Sequence, residues 1–176
     1  AADEAEALAA ARQIGFPVVA KGVSTQITHK REAGLVCLDI RDESSLQIAL
    51  RGMPAVDAFY LQPMMCPRLE LITGFTRTPT LGPVIMLGLG GALVEILGKV
   101  VFSAPPLDET DAERMIDQCG AGRLLGAPGS SGRVAVTEVL LHLAELAQAG
   151  LALDSVEINP LILLNDGPHA LALDAV

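Results

Sequence analysis

The sequence predicts an α/β or α+β chain with a mixed sheet, built as one sizeable domain or as two small lobes. Apolar runs of strand length alternate with three or four helical segments over the 176 residues. Hydrophobic residues make up 51% of the chain, which supplies the apolar surface of a compact core and excludes a disordered chain.

The first half of the chain predicts two helices and four strands. An Ala-rich helix over 1–14 ends at Gly15. A second helix, over 42–50, begins at a cap formed by Asp42 or Ser44. Apolar runs predict strands over 17–23, 35–40, 58–65 and 69–75.

The second half predicts further strands, two helices and a C-terminal hairpin. The apolar runs at 84–87 and 100–102 predict strands, and two prolines at 105–106 end the second one. A helix over 108–116 is expected, with Asp108 or Thr110 as its cap, followed by a linker over 126–132. An amphipathic helix over 134–149 then ends at Gly150.

The hairpin over 154–176 is the segment in which the sequence most clearly predicts chemistry. Turn-forming residues at 165–168 separate two apolar runs. A turn centred between 166 and 167 places Asn159 opposite Asp174 and Glu157 opposite Val176, so that Glu157, Asn159 and Asp174 share one face. A register shift of one residue would instead move Asp174 to the other face.

Two carboxylates and a carboxamide in apolar surroundings need a cationic partner or water. Mg²⁺ prefers hard oxygen ligands and takes one or two from the protein, which a pair such as Asn159 and Asp174 could supply. The alternative is an edge hairpin whose acids simply face water.

Two basic side chains lie where they could meet a ligand. Lys21 is the only charge in the strand over 17–23, so it either reaches a phosphate or extends to solvent from an edge strand. His29 lies in a polar loop over 24–34 between two apolar strands, where binding residues often occur, although a loop histidine can also be merely solvated.

Small residues and an isolated acid mark another candidate site. Gly88, Gly90 and Gly91 would let backbone N–H groups approach a phosphate, but their spacing is not that of a Walker loop, and a tight turn is the alternative. Glu70 is the lone charge of the strand over 69–75.

The acidic balance of the chain narrows its partners. The formal net charge is −9 and the pI is near 4.7, which argues against nucleic acid or an anionic membrane as the main partner. Three cysteines without C-x-x-C spacing favour reduced thiols and a cytoplasmic protein. No apolar run reaches the roughly 18 residues of a membrane span.

Six segments of the chain are characteristic when they are taken in order: I-G-F-P-V-V-A-K-G-V-S (14–24), I-T-H-K (27–30), L-Q-P-M (61–64), L-G-P-V-I-M-L-G-L-G-G (81–91), V-E-I-L (94–97) and E-I-N-P-L (157–161). Together they resemble the ATP-grasp domain of the ADP-forming (NDP-forming) acyl-CoA synthetases, which are related to the succinyl-CoA synthetase β subunit. The resemblance covers nearly the whole chain. It implies a partial ATP-grasp fold over 1–176, a piece of a longer chain, with lobes at 1–75 and 76–176 and a nucleotide cleft between them.

The resemblance also implies a nucleotide site for ATP or ADP with Mg²⁺. Lys21 would contact phosphate, and Asn159 with Asp174 would hold the metal ion. Glu70 and the glycines Gly90 and Gly91 would lie at the nucleotide. The hinge whose backbone meets adenine would consist of Gln62, Pro63, Met64 and Met65.

For catalysis, the resemblance implies that His29 relays a phosphoryl group to a second histidine on the CoA-binding part, and that Glu157 orients the imidazole. A neutral imidazole is nucleophilic near pH 7, and a carboxylate on its other N–H fixes the tautomer. Its partners would be the CoA-binding and ligase domains or an α subunit, which would bind CoA and the acyl substrate, and an oligomer is compatible with this arrangement.

The chain departs from the family pattern at four positions. Lys99 replaces a common acid, Ser103 and Pro128 replace common arginines, and Arg31 replaces a common serine. The motifs and these departures together leave two functions open. The first is phosphoryl transfer in an acid-thiol ligase, favoured by E-I-N-P and I-T-H-K. The second is a degenerate regulatory domain of a protein lysine acetyltransferase, favoured by the missing arginines.

Overall fold

The computed structural model describes residues 1–24, 33–91, 99–164 and 170–176. The chain forms two compact units, Ala1–Met65 and Cys66–Val176. This division precedes the predicted lobe boundary at 75/76. The strand that begins at Leu69 pairs along its whole length with strands of the second unit, so it cannot be shared between the two.

The first unit, in its described residues, is a three-stranded antiparallel sheet with two helices. Its elements are α1 (Glu4–Ile14), β1 (Val18–Val23), β2 (Val36–Ile40), α2 (Glu43–Gly52) and β3 (Ala58–Pro63). The strand order is β2-β1-β3, so β1 is central. Asp42 caps α2 by accepting the N–H of Ser45 at 2.7 Å, which decides between the two predicted caps.

The core of the first unit lies between this sheet and its helices. Val18 and Ala20 of β1 contribute to it together with Leu46 and Leu50 of α2, and all four are buried. Strand residues alternate between the two faces of a sheet, so Val19 and Lys21 lie on the opposite face of β1.

The second unit is a five-stranded antiparallel sheet with three described helices. Its elements are β4 (Leu69–Thr78), β5 (Gly82–Leu89), β6 (Val100–Ser103), α3 (Glu109–Cys119), α4 (Gly122–Leu125), α5 (Ser131–Gln148), β7 (Ser155–Leu163) and β8 (Ala170–Ala172). The strand order is β6-β5-β4-β7-β8.

Helices α3 and α5 cover one face of the five-stranded sheet. Their buried side chains, such as Ile116 and Leu140, form one core with Leu71, Leu87 and Leu161 of the strands. Asp108 begins α3 with the predicted cap, and Asp111 returns the hydrogen bond to complete a capping box. The opposite face of the sheet therefore carries the residues that alternate with this core.

One buried cation joins the helices of the second unit. Arg133, on α5, is 5% exposed and forms ion pairs with Glu113 and Asp117 of α3. Its Nε donates to the carbonyl of Gly126 at 2.9 Å. A Cβ on Gly122 would lie 2.2 Å from the Asp117 carboxylate, so only glycine fits beside this cluster.

The α+β class predicted from the sequence is confirmed. The described strand pairs are all antiparallel rather than mixed, and only some of them, such as β4 with β5, are joined by a short connection. Helix α5 begins at Ser131, inside the predicted linker, and α4 was not predicted. No helix within the described ranges is both long and apolar enough to cross a membrane.

Candidate functional site

The predicted hairpin register is confirmed. Strand β7 pairs with β8 so that Leu161 faces Ala172 and Ile158 faces Ala175. Continuing this register, the N–H of Asn159 donates to the carbonyl of Asp174 at 3.1 Å. The predicted turn residues at 165–168 lie outside the described residues.

Glu157 and Val176 exchange both of their backbone hydrogen bonds, each at 2.9 Å. Glu157, Asn159 and Asp174 are therefore brought together on one face, as predicted. Glu157 and Asn159 are exposed, whereas the intervening Ile158 contacts the core.

A hydrogen bond fixes the orientation of the Asn159 amide. Its Nδ2 donates to Oε1 of Glu157 at 3.2 Å. Because the amide nitrogen donates to Glu157, the amide oxygen is the atom that can bind a cation. Asp174 uses Oδ1 to accept the N–H of Ala175 at 3.1 Å. The trio therefore offers oxygen atoms from β7 and from the segment that follows β8.

A β-bulge on β7 lies at this trio. Between Leu71 and Thr73 of β4 there is one residue, whereas between their partners Leu161 and Ile158 there are two. The extra residue falls at Asn159–Pro160. Ile158 and Leu161 are three positions apart and would lie on opposite faces of a regular strand. The extra residue of the bulge places both side chains on the face that packs against the core.

The close approach of β4 to β7 beside this trio was not predicted from the sequence. Gly74 of β4 faces Glu157, and a Cβ on Gly74 would lie 2.1 Å from the carbonyl oxygen of Val156. A glycine inside a strand-like apolar run was the available signal.

Glu70, Gly90 and Gly91 form a second cluster in the same unit. The N–H of Gly90 donates to the carbonyl of Glu70 at 2.7 Å. A Cβ on Gly90 would lie 3.0 Å from the Glu70 backbone. Gly91 has φ +61°, and a Cβ there would lie 2.9 Å from Oε2 of Glu70. Because both residues lack a Cβ, the chain can pass directly beside the Glu70 carboxylate where β5 ends.

Lys21 lies on the central strand of the first unit and is 9% exposed, so the predicted edge-strand alternative is excluded. It faces Val36 of β2 and Tyr60 of β3, so Tyr60 shares its sheet face. Tyr60 is 56% exposed and was not identified from the sequence, because the pairing of β1 with β3 spans two intervening elements.

The predicted hinge residues end β3 and follow it. Gln62 and Pro63 face Val19 and Val18 of β1, respectively. The N–H of Met64 donates to the carbonyl of Pro17 at 2.9 Å, and Met65 closes the first unit. Gln62 thus lies on the same sheet face as Val19 and Lys21.

Among the remaining predicted positions, His29 and Arg31 lie outside the described residues. Lys99 and Pro128 are exposed, and Ser103 ends β6. Gly126 and Gly129, which flank Pro128, both have positive φ.

The donor set of Asn159 and Asp174 fits Mg²⁺ chemically, since both side chains present oxygen atoms and Mg²⁺ completes its shell with water and phosphates. Over the described ranges there is no cluster of three or more His, Cys, Asp or Glu side chains that could enclose a metal ion. Asn159 and Asp174 therefore suit a metal ion that takes its remaining ligands from a substrate and from water.

The whole chain, residues 1–176, matches the ATP-grasp domain family. It is 35% identical over 184 aligned residues to the β subunit of an ADP-forming acetate–CoA ligase II from Pyrococcus furiosus, covering 97% of this chain and 78% of that subunit.

Two solved structures of the dinucleotide-forming acetyl-coenzyme A synthetase 1 of Ca. Korarchaeum cryptofilum are also similar. The complex with coenzyme A and Ca-AMPCP has a TM-score of 0.86 and 33% identity, covering 99% of this chain and 81% of that one. The complex with coenzyme A and Mg-AMPPCP, whose phosphohistidine segment points towards the nucleotide-binding site, has a TM-score of 0.77 and 34% identity, covering 98% and 81%. These relatives give no support to the acetyltransferase alternative.

Proposed function

Because this chain belongs to the ATP-grasp domain family, in the group carried by ADP-forming acyl-CoA ligases, we propose that it binds ATP or ADP with Mg²⁺ and exchanges a phosphoryl group between the nucleotide and His29 during acyl-CoA formation. The domain is that of an acid-thiol ligase and acts as part of a larger enzyme.

The observation that carries this proposal is the arrangement of Glu157, Asn159 and Asp174. The three residues share one face, where Glu157 and Asn159 are exposed and Asp174 is half-buried, and the amide of Asn159 is oriented by Glu157. Asn159 and Asp174 would hold the metal ion. When bound, Mg²⁺ would offset the negative charge of the transferring phosphates.

Lys21 supports the same proposal from the first unit. A lysine that is nine-tenths buried on a central strand is unusual, because lysine side chains are mostly exposed in folded proteins. We assign its ammonium group to the nucleotide phosphates, and the hinge from Gln62 to Met65 to the base. Glu70, with Gly90 and Gly91, would line the same nucleotide site.

His29 would be the nucleophile. One ring nitrogen attacks the γ-phosphorus, the bond to the bridging oxygen breaks, and ADP leaves with the electron pair. The carboxylate of Glu157 would accept the N–H of the other ring nitrogen and so hold the tautomer that leaves the attacking nitrogen unprotonated.

The phosphoryl group would then pass to CoA-binding and ligase domains or to an α subunit, where CoA and the acyl substrate bind. The P. furiosus relative is itself named a β subunit, which supports such a division of labour. This domain would supply the nucleotide half of the reaction only.

The proposal is tested with Asp174→Asn in the full-length protein. In calorimetric titrations, Mg²⁺ should increase the affinity of the wild type for ATP. This Mg²⁺-dependent increase should be at least about 10-fold smaller in Asp174→Asn, as expected when a metal site loses a ligand. Asp154→Asn is the matched control, because Asp154 is an exposed acid just before β7. Equal metal dependence in wild type and Asp174→Asn would refute the ligand assignment.

The transfer step needs a separate measurement. Incubating the full-length protein with γ-labelled ATP and Mg²⁺ should leave a label that is stable to base and labile to acid, and His29→Ala should reduce it. Undiminished acyl-CoA synthesis by His29→Ala would refute the relay, and absence of nucleotide binding by the wild type would refute the proposed function as a whole.

A further inference from the structure

The sheet of the first unit carries a tyrosine directly opposite Lys21. Tyr60 of β3 faces Lys21 of β1 in the antiparallel register. Residues that face each other across two strands project their side chains from the same side of the sheet, with Cβ atoms about 4.5–5.5 Å apart. Both side chains are long and end in a hydrogen-bond donor, which is an ammonium group in Lys21 and a phenol O–H in Tyr60. A single ligand bound over this face can therefore contact both.

The Tyr60 ring lies on the face away from the core of the first unit. The preceding Phe59 packs against that core, and successive strand residues point to opposite faces of a sheet. Tyr60 is 56% exposed, whereas Lys21 is 9% exposed. The tyrosine thus keeps an open surface for a ligand beside a lysine that is almost fully buried.

Few charges on this sheet could balance an anionic ligand. Lys21 is the only cation of β1 and β3, and the formal net charge of the whole chain is −9. The phosphates of a nucleotide offer more acceptor oxygens than one ammonium group can satisfy. A phenol O–H forms a strong hydrogen bond to an anionic oxygen, and tyrosine loses little rotamer freedom when it is fixed, since it has two χ angles. Tyr60 is therefore suited to supply a second, neutral donor.

Given the nucleotide site proposed above, on which this inference rests, we propose that Tyr60 is a further phosphate-binding residue. Its hydroxyl group donates a hydrogen bond to a phosphate oxygen of the nucleotide that Lys21 contacts. Gln62, assigned to the base, lies on the same face two residues along β3, about 7 Å away. In the other direction, β1 runs from Lys21 towards Ser24, after which the chain continues to His29. This order suits a nucleotide with its base at the hinge and its γ-phosphate at His29.

The test is Tyr60→Phe, which keeps the ring and removes only the hydroxyl group. In calorimetric titrations of the full-length protein with Mg²⁺, the affinity for ATP and for ADP should fall at least about 10-fold in the variant, because a hydrogen bond to a charged group is lost. Adenosine has no phosphate, so its affinity, measured by competition with ATP, should change by less than about twofold. A fall for adenosine as large as that for ADP would place the hydroxyl group at the sugar or the base and overturn the inference.

A spectroscopic measurement separates direct contact from a structural effect. Tyr60 is the only tyrosine of the 176 residues. When fluorotyrosine is incorporated into the full-length protein, the fluorine NMR signal that is absent from Tyr60→Phe belongs to Tyr60. This signal should shift on titration with ADP and Mg²⁺ and stay in place with adenosine. A signal that does not respond to ADP would overturn direct contact with the phosphates.

Ser44→Ala is the control for loss of a hydroxyl group. Ser44 is exposed on α2, whose buried side chains pack with Val18 and Ala20 on the opposite face of the sheet. This variant should bind ATP and ADP as the wild type does, and an equal loss in Ser44→Ala and Tyr60→Phe would overturn the inference.

The wild type distinguishes the two ways in which the inference can fail. If the wild type binds ATP with Mg²⁺ and Tyr60→Phe binds it equally tightly, the role of Tyr60 is refuted and the proposed function stands. If the wild type binds neither ATP nor ADP, the proposed function itself is refuted and this inference with it.

Discussion

The two compact units hold their candidate residues in opposite ways. In the first unit, Lys21 is 9% exposed on the central strand of a small sheet, beside the exposed Tyr60. In the second unit, Glu157 and Asn159 lie on an exposed face, and Asp174 lies directly across from Asn159.

This difference indicates which residues can change function without changing the fold. A charge that is buried contributes to the energy of the folded state, so its replacement affects stability and ligand binding together. An exposed acid on the face opposite the helices has water as an alternative partner. Variants of the second unit should therefore separate function from stability more cleanly than variants of Lys21.

The largest expected effect comes from Lys21→Met. Loss of a charge-assisted contact to phosphate is worth about 1.5–3 kcal/mol, so nucleotide affinity should fall about 10- to 100-fold. Lys99→Met is the control, because Lys99 is exposed in the second unit and should change affinity by less than about twofold. Equal affinity of wild type and Lys21→Met for ATP, measured by calorimetry below the melting temperature of both, would remove Lys21 from the site.

An intermediate effect is expected from Gly91→Ala, in the second unit. A left-handed backbone costs a residue with a Cβ about 1–2 kcal/mol, and the new methyl group would also displace the Glu70 carboxylate. Gly150→Ala has the matching φ of +70° with no atom within 4 Å of its Cβ, so it reports the backbone cost alone. Urea unfolding should show similar losses of stability in both variants, whereas only Gly91→Ala should weaken nucleotide binding. Weakening by Gly150→Ala to the same degree would contradict a direct role for Glu70.

The smallest effect concerns the surface ion pairs of the first unit. Hydrogen bonds from Arg51 and Arg12 lower the pKa values of the Glu4 and Glu43 carboxyls, respectively. Because these pKa values are lower in the folded state, the stabilisation is complete above the ordinary carboxyl pKa of about 4 and is lost as the pH falls through the lower value. Arg51→Gln should therefore flatten the fall in melting temperature between about pH 6 and about pH 3. A steeper fall in the variant would show that the Glu4 pair does not stabilise the folded state.

The sequence by itself determined the four longer described helices, the candidate caps of α2 and α3, and the hairpin register. Asp42, Asp108 and Gly15 act locally, because a helix end needs only hydrogen bonds or a backbone conformation that its nearest residues supply. The pairing of Asn159 with Asp174 follows from a short turn and from alternation along two adjoining strands. The order of six segments along the chain also identified the family.

Only the tertiary structure decided the pairings between distant segments. Lys21 meets Tyr60 because β1 and β3, which are separated by two intervening elements, became neighbours. The pairing of Gln62 with Val19 likewise depends on the register of β3 against β1. Such registers are fixed by the burial of whole sheet faces against helices, and that energy belongs to the assembled core rather than to any single stretch of sequence.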